Sequence, residues 1–526
     1  PGLSMVIVSI TPEIALEGSV NYAGGLGVLE GDKFYAAGDL GLDYLVLSLL
    51  YKQGYVKLRF TIHGEPLFEP EELSREFYSK LTPDGELVVT LNNARVYVIP
   101  WVYRYKTAKA VLFEAVCPEW ARKLNSRVYV DDNEEEKFLK YALLAKASAS
   151  YLKEKVGLEN IAILDLEESY TSLVLYELRG IESKTRIILH TPGPWGHPVF
   201  PGYMIKQEFG VDVSEGLVNM TEETLRRLSK AIVVSKKQCD VMSHVFPDHR
   251  SKFIPITNGI YLERWMHPKL YSAWVRKDIR EEVLREVRNE AKKELLSLVK
   301  YYKPEVDLTG KVVVTWARRL ARYKRPYFIA RFIEEHHDQS VVYILAGKPH
   351  PKDPDGYIYL KKFKELSQKF NNVVYIPDYR TDVAKVLMAG SDIWLFTPFS
   401  GWEACGTSYM KALVNGVPVV SSRDGGVIEI VEDNLNGWLF GDDIREFINI
   451  YEDPRARTID EKDYKEFSNK LTKAIETYYG KPDEYWTIAL NAWRDVPEKV
   501  DIRRVLRKYY LEKLPDDKQG YRSISS

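Results

Sequence analysis

Short apolar runs alternate with amphipathic stretches along the chain. The runs are four to six residues long and rich in β-branched and aliphatic side chains, as in buried strands of parallel sheets. The first series is Val6 to Ile10, Leu45 to Leu49, Ile161 to Leu164, Arg186 to Leu189 and Ala231 to Val234. The second series is Lys311 to Thr315, Val341 to Ala346, Asn372 to Ile376, Ile393 to Phe396 and Val417 to Ser421. This alternation predicts βα units.

The charged segment from Arg276 to Lys303 separates the two series, which predicts two Rossmann-like, doubly wound α/β domains. We place them at residues 5–305, with Met5 as the natural start, and at residues 306–480. Ligands of such folds bind at the carboxyl ends of strands, so the expected site is the cleft across which the domains face.

Two segments depart from this pattern. Residues 56–105 alternate around Asn92-Asn93, which predicts an antiparallel hairpin inserted in the first domain. Residues 481–526 continue a helical spacing that begins near Glu461, and we expect these helices to return to the N-terminal domain.

Composition restricts the partners. The chain has 526 residues, more than one core usually fills, and 74 basic residues balance 75 acidic ones. No global field therefore favours nucleic acid or an anionic membrane, and any anion must be bound by local charge. Three cysteines without a C-x-x-C pair predict a reducing, cytoplasmic setting and no metal site, and only six glutamines lean toward a thermophilic source.

A glycine-rich segment from Asn21 to Asp32 follows the first strand and precedes a predicted helix, Lys33 to Leu40. Gly24 and Gly25 let a backbone approach a ligand closely, and free N–H groups at a helix start favour an anion. A tight turn without a ligand is an equally good interpretation. The G-x-G-x-x-G spacing of nicotinamide enzymes is absent.

A basic segment from Trp316 to Arg325 follows the strand Lys311 to Thr315. It holds five cations in eight residues, which suits phosphate because arginine binds bidentately and lysine acts as a point charge. Not all of the cations can share one face, and a solvated basic turn remains open.

A third segment runs from Phe399 to Gly416, and Gly406, Thr407 and Ser408 would open a helix that contains Lys411. An apolar setting lowers the pKa of a lysine, as Schiff-base chemistry requires, although a helical lysine that reaches solvent is the alternative.

Two loops at strand ends complete the candidates. The segments His190 to His197 and Thr257 to Ile260 offer polar groups to sugar hydroxyls and a ring for stacking, or hold structural histidines.

Six motifs in this order resemble the α-glucan (glycogen, starch, maltodextrin) phosphorylases, closest to their short bacterial and archaeal forms. The motifs are Gly24-Gly-Leu-Gly-Val-Leu29 with Asp39-Leu-Gly-Leu42 and Leu50-Tyr-Lys-Gln-Gly-Tyr55; His190-Thr-Pro192 with Gly196-His197; Thr257-Asn-Gly259; Ala317-Arg-Arg319 with Tyr323-Lys-Arg325; Ala346-Gly-Lys348 with His350-Pro351; and Glu403-Ala-Cys-Gly-Thr-Ser-Tyr-Met-Lys411. The resemblance implies a GT-B fold and pyridoxal 5'-phosphate as an imine on Lys411. It also implies reversible phosphorolysis of terminal α-1,4 glucosyl units to glucose 1-phosphate with retention.

The resemblance also assigns roles. Arg319 and Lys324 would hold phosphate, Gly25 would donate its N–H to the substrate phosphate, and the remaining residues would contact the cofactor or the transferred glucose. The cofactor contacts would be Thr407, Arg318, Tyr379 and Arg380, and the glucose contacts would be His190, Asn258, Glu403, Gly406 and Gly24. Family members are commonly homodimers, so the resemblance implies one here.

Two departures and two alternatives stay open. Short relatives read Asn-Glu-Gly-His where this chain has Glu167-Glu-Ser-Tyr170, and Tyr409 replaces a small or polar residue. A nucleotide-sugar glycogen or starch synthase shares Pro12-Glu-Ile-Ala15 and the glycine pairs, but it lacks an imine lysine. An inactive glucan-binding protein is supported only by the two tyrosines.

Overall fold

The computed structural model describes residues 5–512 and 514, which divide into two compact units. The first unit comprises residues 5–57, 69–257 and 502–512 with 514, and the second comprises residues 58–68 and 258–501. Within these residues, none of the helices has both the length and the apolarity needed to cross a membrane.

The first unit is built on one ten-stranded sheet. Its order is Phe253–Pro255, Ala231–Val233, Thr185–Leu189, Ile161–Glu167, Val6–Ile10, Tyr44–Leu49, Ala108–Cys117, Ala94–Tyr105 and Thr82–Pro83, with Leu87–Leu91 also paired to Ala94–Tyr105. The first seven strands are parallel, and Ile10 lies opposite Leu47 on one side and Leu166 on the other. All five strands predicted for this unit are present.

Helices and short turns cover this sheet. The α-helices are Gly25–Asp39, Arg75–Ser79, Glu119–Arg122, Glu134–Tyr151, Gly202–Phe209, Met220–Arg227, Lys236–Val245 and Ile502–Tyr510, with a π-helical turn Leu152–Val156. The 3₁₀ turns are Lys123–Asn125, Leu158–Asn160, Ser169–Tyr176, Glu182–Lys184, Pro194–Gly196 and Pro247–Lys252, and a separate pair of strands joins Val199–Pro201 to Leu217–Asn219.

The second unit is built on a six-stranded parallel sheet. Its order is Val373–Ile376, Val341–Ala346, Val312–Ala317, Ile393–Phe396, Val419–Ser422 and Gly437–Phe440. The helices are Leu262–Trp265, Pro268–Val275, Glu281–Tyr302, Pro326–Glu335, Pro354–Lys369, Thr381–Gly390, Ser408–Leu413, Val427–Ile430, Arg455–Gly480 and Pro482–Val500, with a 3₁₀ turn Arg322–Lys324. The five strands predicted for this unit are present, and the fold class is α/β with two Rossmann-like sheets.

The compact units divide at residues 257 and 258 rather than near residue 306. The helix Glu281–Tyr302 belongs to the second unit because its buried Arg288 donates to the Asp392 carboxylate at 2.9 Å and to the Gly416 carbonyl oxygen at 2.5 Å. The charged segment that separates the two series of strands therefore contains a helix that packs against this unit's core.

The hairpin predicted at Asn92-Asn93 is present, and both turn residues have positive φ. It extends the main sheet through Ala108–Cys117 instead of forming an insertion. A second hairpin, Lys57–Phe60 with Pro66–Glu69, was not predicted, and Leu58 packs into the core of the second unit.

The chain end divides between the units. The helix Pro482–Val500 belongs to the second unit, and Ile502–Tyr510 belongs to the first. There the Tyr510 hydroxyl donates to Asp165 at 2.7 Å, and Arg186 donates to the Tyr509 carbonyl oxygen at 3.0 Å. The rest of the predicted terminal segment, residues 513 and 515–526, lies outside the described residues.

Candidate active site

The glycine-rich segment is closed around a carboxyl group of the protein itself. The helix begins at Gly25 rather than Lys33, and its extended N-cap, Gly24, has no side chain to receive the first amides. The Glu13 carboxylate accepts N–H groups instead, from Ala23 at 3.1 Å, Gly24 at 3.3 Å and Gly27 at 2.5 Å. Burial raises the pKa of Glu13 to about 7 despite these bonds.

The three glycines of this turn have different reasons to be glycine. A Cβ on Gly27 would lie 2.5 Å from the Cβ of Tyr22 and 3.0 Å from Glu13 Oε1, so packing requires a glycine there. Among the described residues, nothing lies within 4 Å of a Cβ placed on Gly24 or Gly25, and neither has positive φ. The chain's own packing therefore gives no reason for glycine at these two positions.

Two consecutive carboxylates hold the loop that begins at His190. This loop follows the strand Thr185–Leu189, whose neighbour in the sheet is Ile161–Glu167. Glu167 Oε2 lies 2.6 Å from His190 Nε2, and Glu168 accepts the backbone N–H of His190. The loop is tightly packed at Gly196, where a Cβ would lie only 2.5 Å from the Cβ of Thr191.

His197, at the other end of this loop, is a buried structural histidine. Its Nδ1 lies 2.7 Å from the Thr221 hydroxyl, and its ring contacts Phe246 edge-on. Burial lowers the pKa of His197 to about 4, so the ring is neutral at pH 7.

Three cations of the basic segment meet in the second unit. Arg318 follows the strand Val312–Ala317, and its carbonyl oxygen lies so near Gly347 that a Cβ there would approach it to 1.8 Å. Arg318 pairs with Glu403 at 2.9 Å and lies over the ring of Phe396. Its Nη1 is buried and has no hydrogen-bond partner among the described residues.

The charge of this cluster is unbalanced. Burial, Arg318 and Arg319 hold the pKa of Lys324 well below its usual range, and Glu403 opposes them only in part. Burial would raise the pKa of Glu403, but Arg318, Lys324 and Arg319 together hold it below its usual value. A second anion would therefore be strongly stabilised beside Arg318, Arg319 and Lys324.

The other two cations of the segment have structural roles. Arg325 is fully buried, adopts a positive φ and binds Asp463 at 2.7 Å. Arg322 lies over the ring of Tyr451, 4.9 Å from its centroid. Sequence reasoning expected that only some of the five cations would meet, and the structure distinguishes them.

Lys411 lies in the helix Ser408–Leu413 and is 6% exposed. Its Nζ lies 4.0 Å from the ring centroid of Trp265, so the amine rests on an indole face rather than reaching solvent. At the start of the same helix, Thr407 makes no side-chain cap and Ser408 Oγ is buried, without a hydrogen-bond partner among the residues described.

Tyr409 points into the protein core. Its hydroxyl donates to the Cys405 carbonyl oxygen at 3.2 Å, and its ring packs against Phe396 with centroids 5.0 Å apart. The departure noted in the sequence is thus a packing substitution beneath the helix. Tyr170, the other departure, donates its hydroxyl to the Trp195 carbonyl oxygen at 2.5 Å.

The loop that carries Glu403 is anchored by Asp424, a residue that sequence reasoning missed. Its carboxylate accepts the N–H groups of Gly401 and Glu403, both at 2.8 Å. Gly425 has φ of 56° and passes so close that a Cβ would lie 2.2 Å from the Cys405 carbonyl oxygen. An acid directly before Gly425-Gly426 at a strand end was the available signal.

The remaining predicted residues take different positions. The backbone of Asn258 donates to the Cys405 thiol, which links that loop to the segment of Glu403 and Gly406. Burial raises the pKa of Tyr379, and Arg318 partly opposes this shift. Arg380 is half-exposed and pairs with Asp382 at 3.5 Å, so its guanidinium lies at the surface.

Two Rossmann-like sheets, one of which carries a buried cationic cluster at a strand end, place the chain among two-unit α/β proteins. Residues 269–492 match the family model described as carbohydrate phosphorylase. This match covers most of the second unit, and the chain is similar there to carbohydrate phosphorylases, which are glycosyltransferases.

Relatives match most of the chain. A glycogen phosphorylase of Aquifex aeolicus is 28% identical over 96% of this chain and 85% of its own length. A maltodextrin phosphorylase of Thermococcus litoralis is 26% identical over 93% of this chain and 68% of its own length. An uncharacterized protein of Methanocaldococcus jannaschii is 28% identical over 94% of this chain and 96% of its own length.

Proposed function

We propose that this protein is an α-1,4-glucan phosphorylase that transfers terminal glucosyl units of glycogen or maltodextrin to phosphate, reversibly and with retention. The observation that carries the proposal is the buried cluster of Arg318, Arg319 and Lys324, which faces a single carboxylate. A site with this excess of positive charge suits substrates and products that carry phosphate. The names of the relatives agree with a glucan as the other substrate.

The residues around Lys411 fit pyridoxal 5'-phosphate. A buried amine on an indole face is a suitable imine position, and Ser408 Oγ and Arg318 Nη1 are buried polar atoms without a hydrogen-bond partner among the described residues. Lys411, Thr407, Arg318, Tyr379 and Arg380 would hold the group. When bound, it supplies a phosphate that exchanges a proton with the substrate phosphate.

The chain's own residues would bind and orient the two substrates. Arg319 and Lys324 would hold the substrate phosphate, and Gly25 would donate its N–H to it, because no side chain blocks that turn. His190, Asn258, Glu403, Gly406 and Gly24 would bind the transferred glucose. The surface ion pair of Arg380 with Asp382 would have to open for Arg380 to contribute.

The proposal also covers the molecule's setting. We expect a homodimer with glucan, inorganic phosphate and glucose 1-phosphate as ligands, in the cytoplasm of a thermophile. The support is the family and three free cysteines: Cys117, Cys239 and Cys405.

The proposal is tested by the absorption spectrum of the purified protein, before and after borohydride reduction, with mass spectrometry of the modified lysine. We expect a reduced pyridoxal adduct on Lys411 and phosphate-dependent release of glucose 1-phosphate from maltodextrin. Lys411→Ala should lose both, and Lys361→Ala, a change at an exposed lysine, should keep both.

A protein that stays colourless and inactive with added cofactor would contradict the proposal. Turnover of UDP-glucose or ADP-glucose would then identify the synthase. Binding of maltodextrin without turnover would identify an inactive glucan-binding protein.

A further inference from the structure

Two neighbouring carboxylates at the end of the strand Ile161–Glu167 face the same loop. Successive side chains of a strand point to opposite faces, so Glu167 and Glu168 should diverge. Glu168 instead has φ of 64° and ψ of 154°, a backbone conformation that residues other than glycine rarely adopt. This backbone turn brings both carboxylates to His190, one to its ring and one to its amide.

Glu167 is held firmly where it meets the ring. Its side chain is fully buried, and Lys33 Nζ donates to its Oε1 at 2.8 Å. Burial opposes ionisation, but Lys33 and His190 lower the pKa of Glu167 to about 2. Burial and the neighbouring Glu167 charge raise the pKa of Glu30, the other carboxylate beside Lys33, to about 8. The contacts favour the negative charge on Glu167, because the Lys33 ammonium lies 2.8 Å from Glu167 and 3.3 Å from Glu30, and the His190 ring contacts Glu167.

This cluster is not arranged for a metal. Ligand atoms of Glu30, Glu167 and His190 lie within 4.8 Å of one another, as metal ligands would. However, the Lys33 ammonium lies among them, 3.3 Å from Glu30 and 2.8 Å from Glu167. The protein thus supplies its own cation, and the geometry left to explain is the 2.6 Å contact between Glu167 and the ring of His190.

An ionised carboxylate can accept hydrogen bonds but cannot donate them. The contact with Glu167 therefore requires a proton on His190 Nε2. We propose that Glu167 is a positioning residue that fixes the His190 imidazole with its Nε2–H on the carboxylate, leaving Nδ1 as the ring nitrogen that meets a substrate hydroxyl. The assignment of that hydroxyl to glucose rests on the proposed function. The fixed ring does not, because it follows from contacts within the first unit.

The tautomer can be measured on the intact protein without turnover. Long-range ¹H–¹⁵N spectra of histidine-labelled protein resolve which nitrogen of each of the nine imidazoles carries the proton, and His190→Asn assigns the signal. We expect a protonated Nε2 with a strongly downfield proton, which Glu167→Gln shifts upfield.

Glu30→Gln is the matched control because it makes the same change at the other carboxylate beside Lys33 and leaves Glu167 in place. Its His190 signal should stay at the wild-type position. An Nδ1–H tautomer in the wild type, or an unchanged His190 signal in Glu167→Gln, would overturn the proposal.

Kinetics separate positioning from a merely structural role. Glu167→Gln should lower kcat/KM for maltodextrin about tenfold and leave the KM for phosphate within about twofold, because the ring is loosened and the cationic cluster is untouched. In a His190→Ala background the same change should cost less than about twofold. Additive losses in this double-mutant cycle would show that Glu167 does not act through His190.

The two failures are distinguishable. If the wild-type protein releases no glucose 1-phosphate, the proposed function fails, and the imidazole spectra still test Glu167. If the wild type is active and the spectra of Glu167→Gln match it, only the positioning role fails. A thermal unfolding midpoint equal in the two glutamine variants confirms that folding does not explain the difference.

Discussion

The two segments that sequence analysis selected as anion sites have opposite charge arrangements. The glycine turn of the first unit already has a carboxyl group in the position of an anion, because Glu13 accepts three of its amides. The basic loop of the second unit has three cations and one carboxylate. Burial and the two neighbouring arginines lower the pKa of Lys324 there. A motif that can bind an anion is thus either completed by the protein's own side chain or left incomplete, and only the second case marks charge that is available to a ligand.

The largest effect is expected at the incomplete site. Lys324→Met removes a buried cation that burial and two arginines destabilise, so the melting temperature should rise while activity falls. We expect kcat/KM for phosphate to fall about 1000-fold, or about 4 kcal/mol of transition-state stabilisation. Initial rates and calorimetry measure the two quantities. A variant that is both less stable and fully active would break the comparison.

At the glycine turn, where Glu13 already accepts the amides, we expect the main effect on stability rather than on activity. Glu13→Ala leaves the amides of Ala23, Gly24 and Gly27 without their acceptor, so the free energy of unfolding should fall by about 3 kcal/mol. Urea denaturation measures it, with Glu17→Ala as the control because that side chain is exposed on the same segment. Equal stability of the two variants would remove the structural role of Glu13.

Two glycines of the same turn sharpen the contrast. Gly27→Ala should lower the free energy of unfolding by about 2 kcal/mol, because its Cβ meets Tyr22 at 2.5 Å. Gly25→Ala meets no such contact among the described residues and should leave stability unchanged or slightly higher, while the KM for phosphate rises about tenfold. Denaturation and phosphate titration test both. An unaltered phosphate KM in Gly25→Ala would remove this amide from the proposed site.

The smallest effect concerns a buried group that the first unit keeps neutral. The folded-state pKa of His197, about 4, lies below the ordinary value of 6.5, so its contribution to stability is present above pH 6.5 and is lost on acidification. Between pH 6.5 and 5.5 the loss should be about 1 kcal/mol. His197→Gln keeps a partner for Thr221 and should remove this part of the pH dependence. An identical pH profile in the variant would contradict the assignment.

The sequence predicted the strands and the positions of the motifs better than the side-chain contacts. Buried strands such as Val341–Ala346 were recognisable because both faces are apolar, and the three chemical motifs were recognisable by position at strand ends. The role of Glu13 was not recognisable, because it binds amides 10 to 14 residues away, and Asp424 was marked only by its place before Gly425-Gly426. The turn at Glu168 was also hidden, since no glycine signals its positive φ. Nor could periodicity show that helix Glu281–Tyr302 packs on the second sheet through Arg288.

The path of the chain between the two units sets the order in which their parts are synthesised. The first unit is interrupted by residues 58–68 and 258–501, so its helix Ile502–Tyr510 is synthesised only after the second unit. Until then the buried Asp165 lacks the Tyr510 hydroxyl, and Arg186 lacks the Tyr509 carbonyl. During translation the sheet of the first unit therefore lacks these contacts until residues 258–501 have been synthesised, and a nascent chain stalled before residue 502 would expose that gap to chaperones.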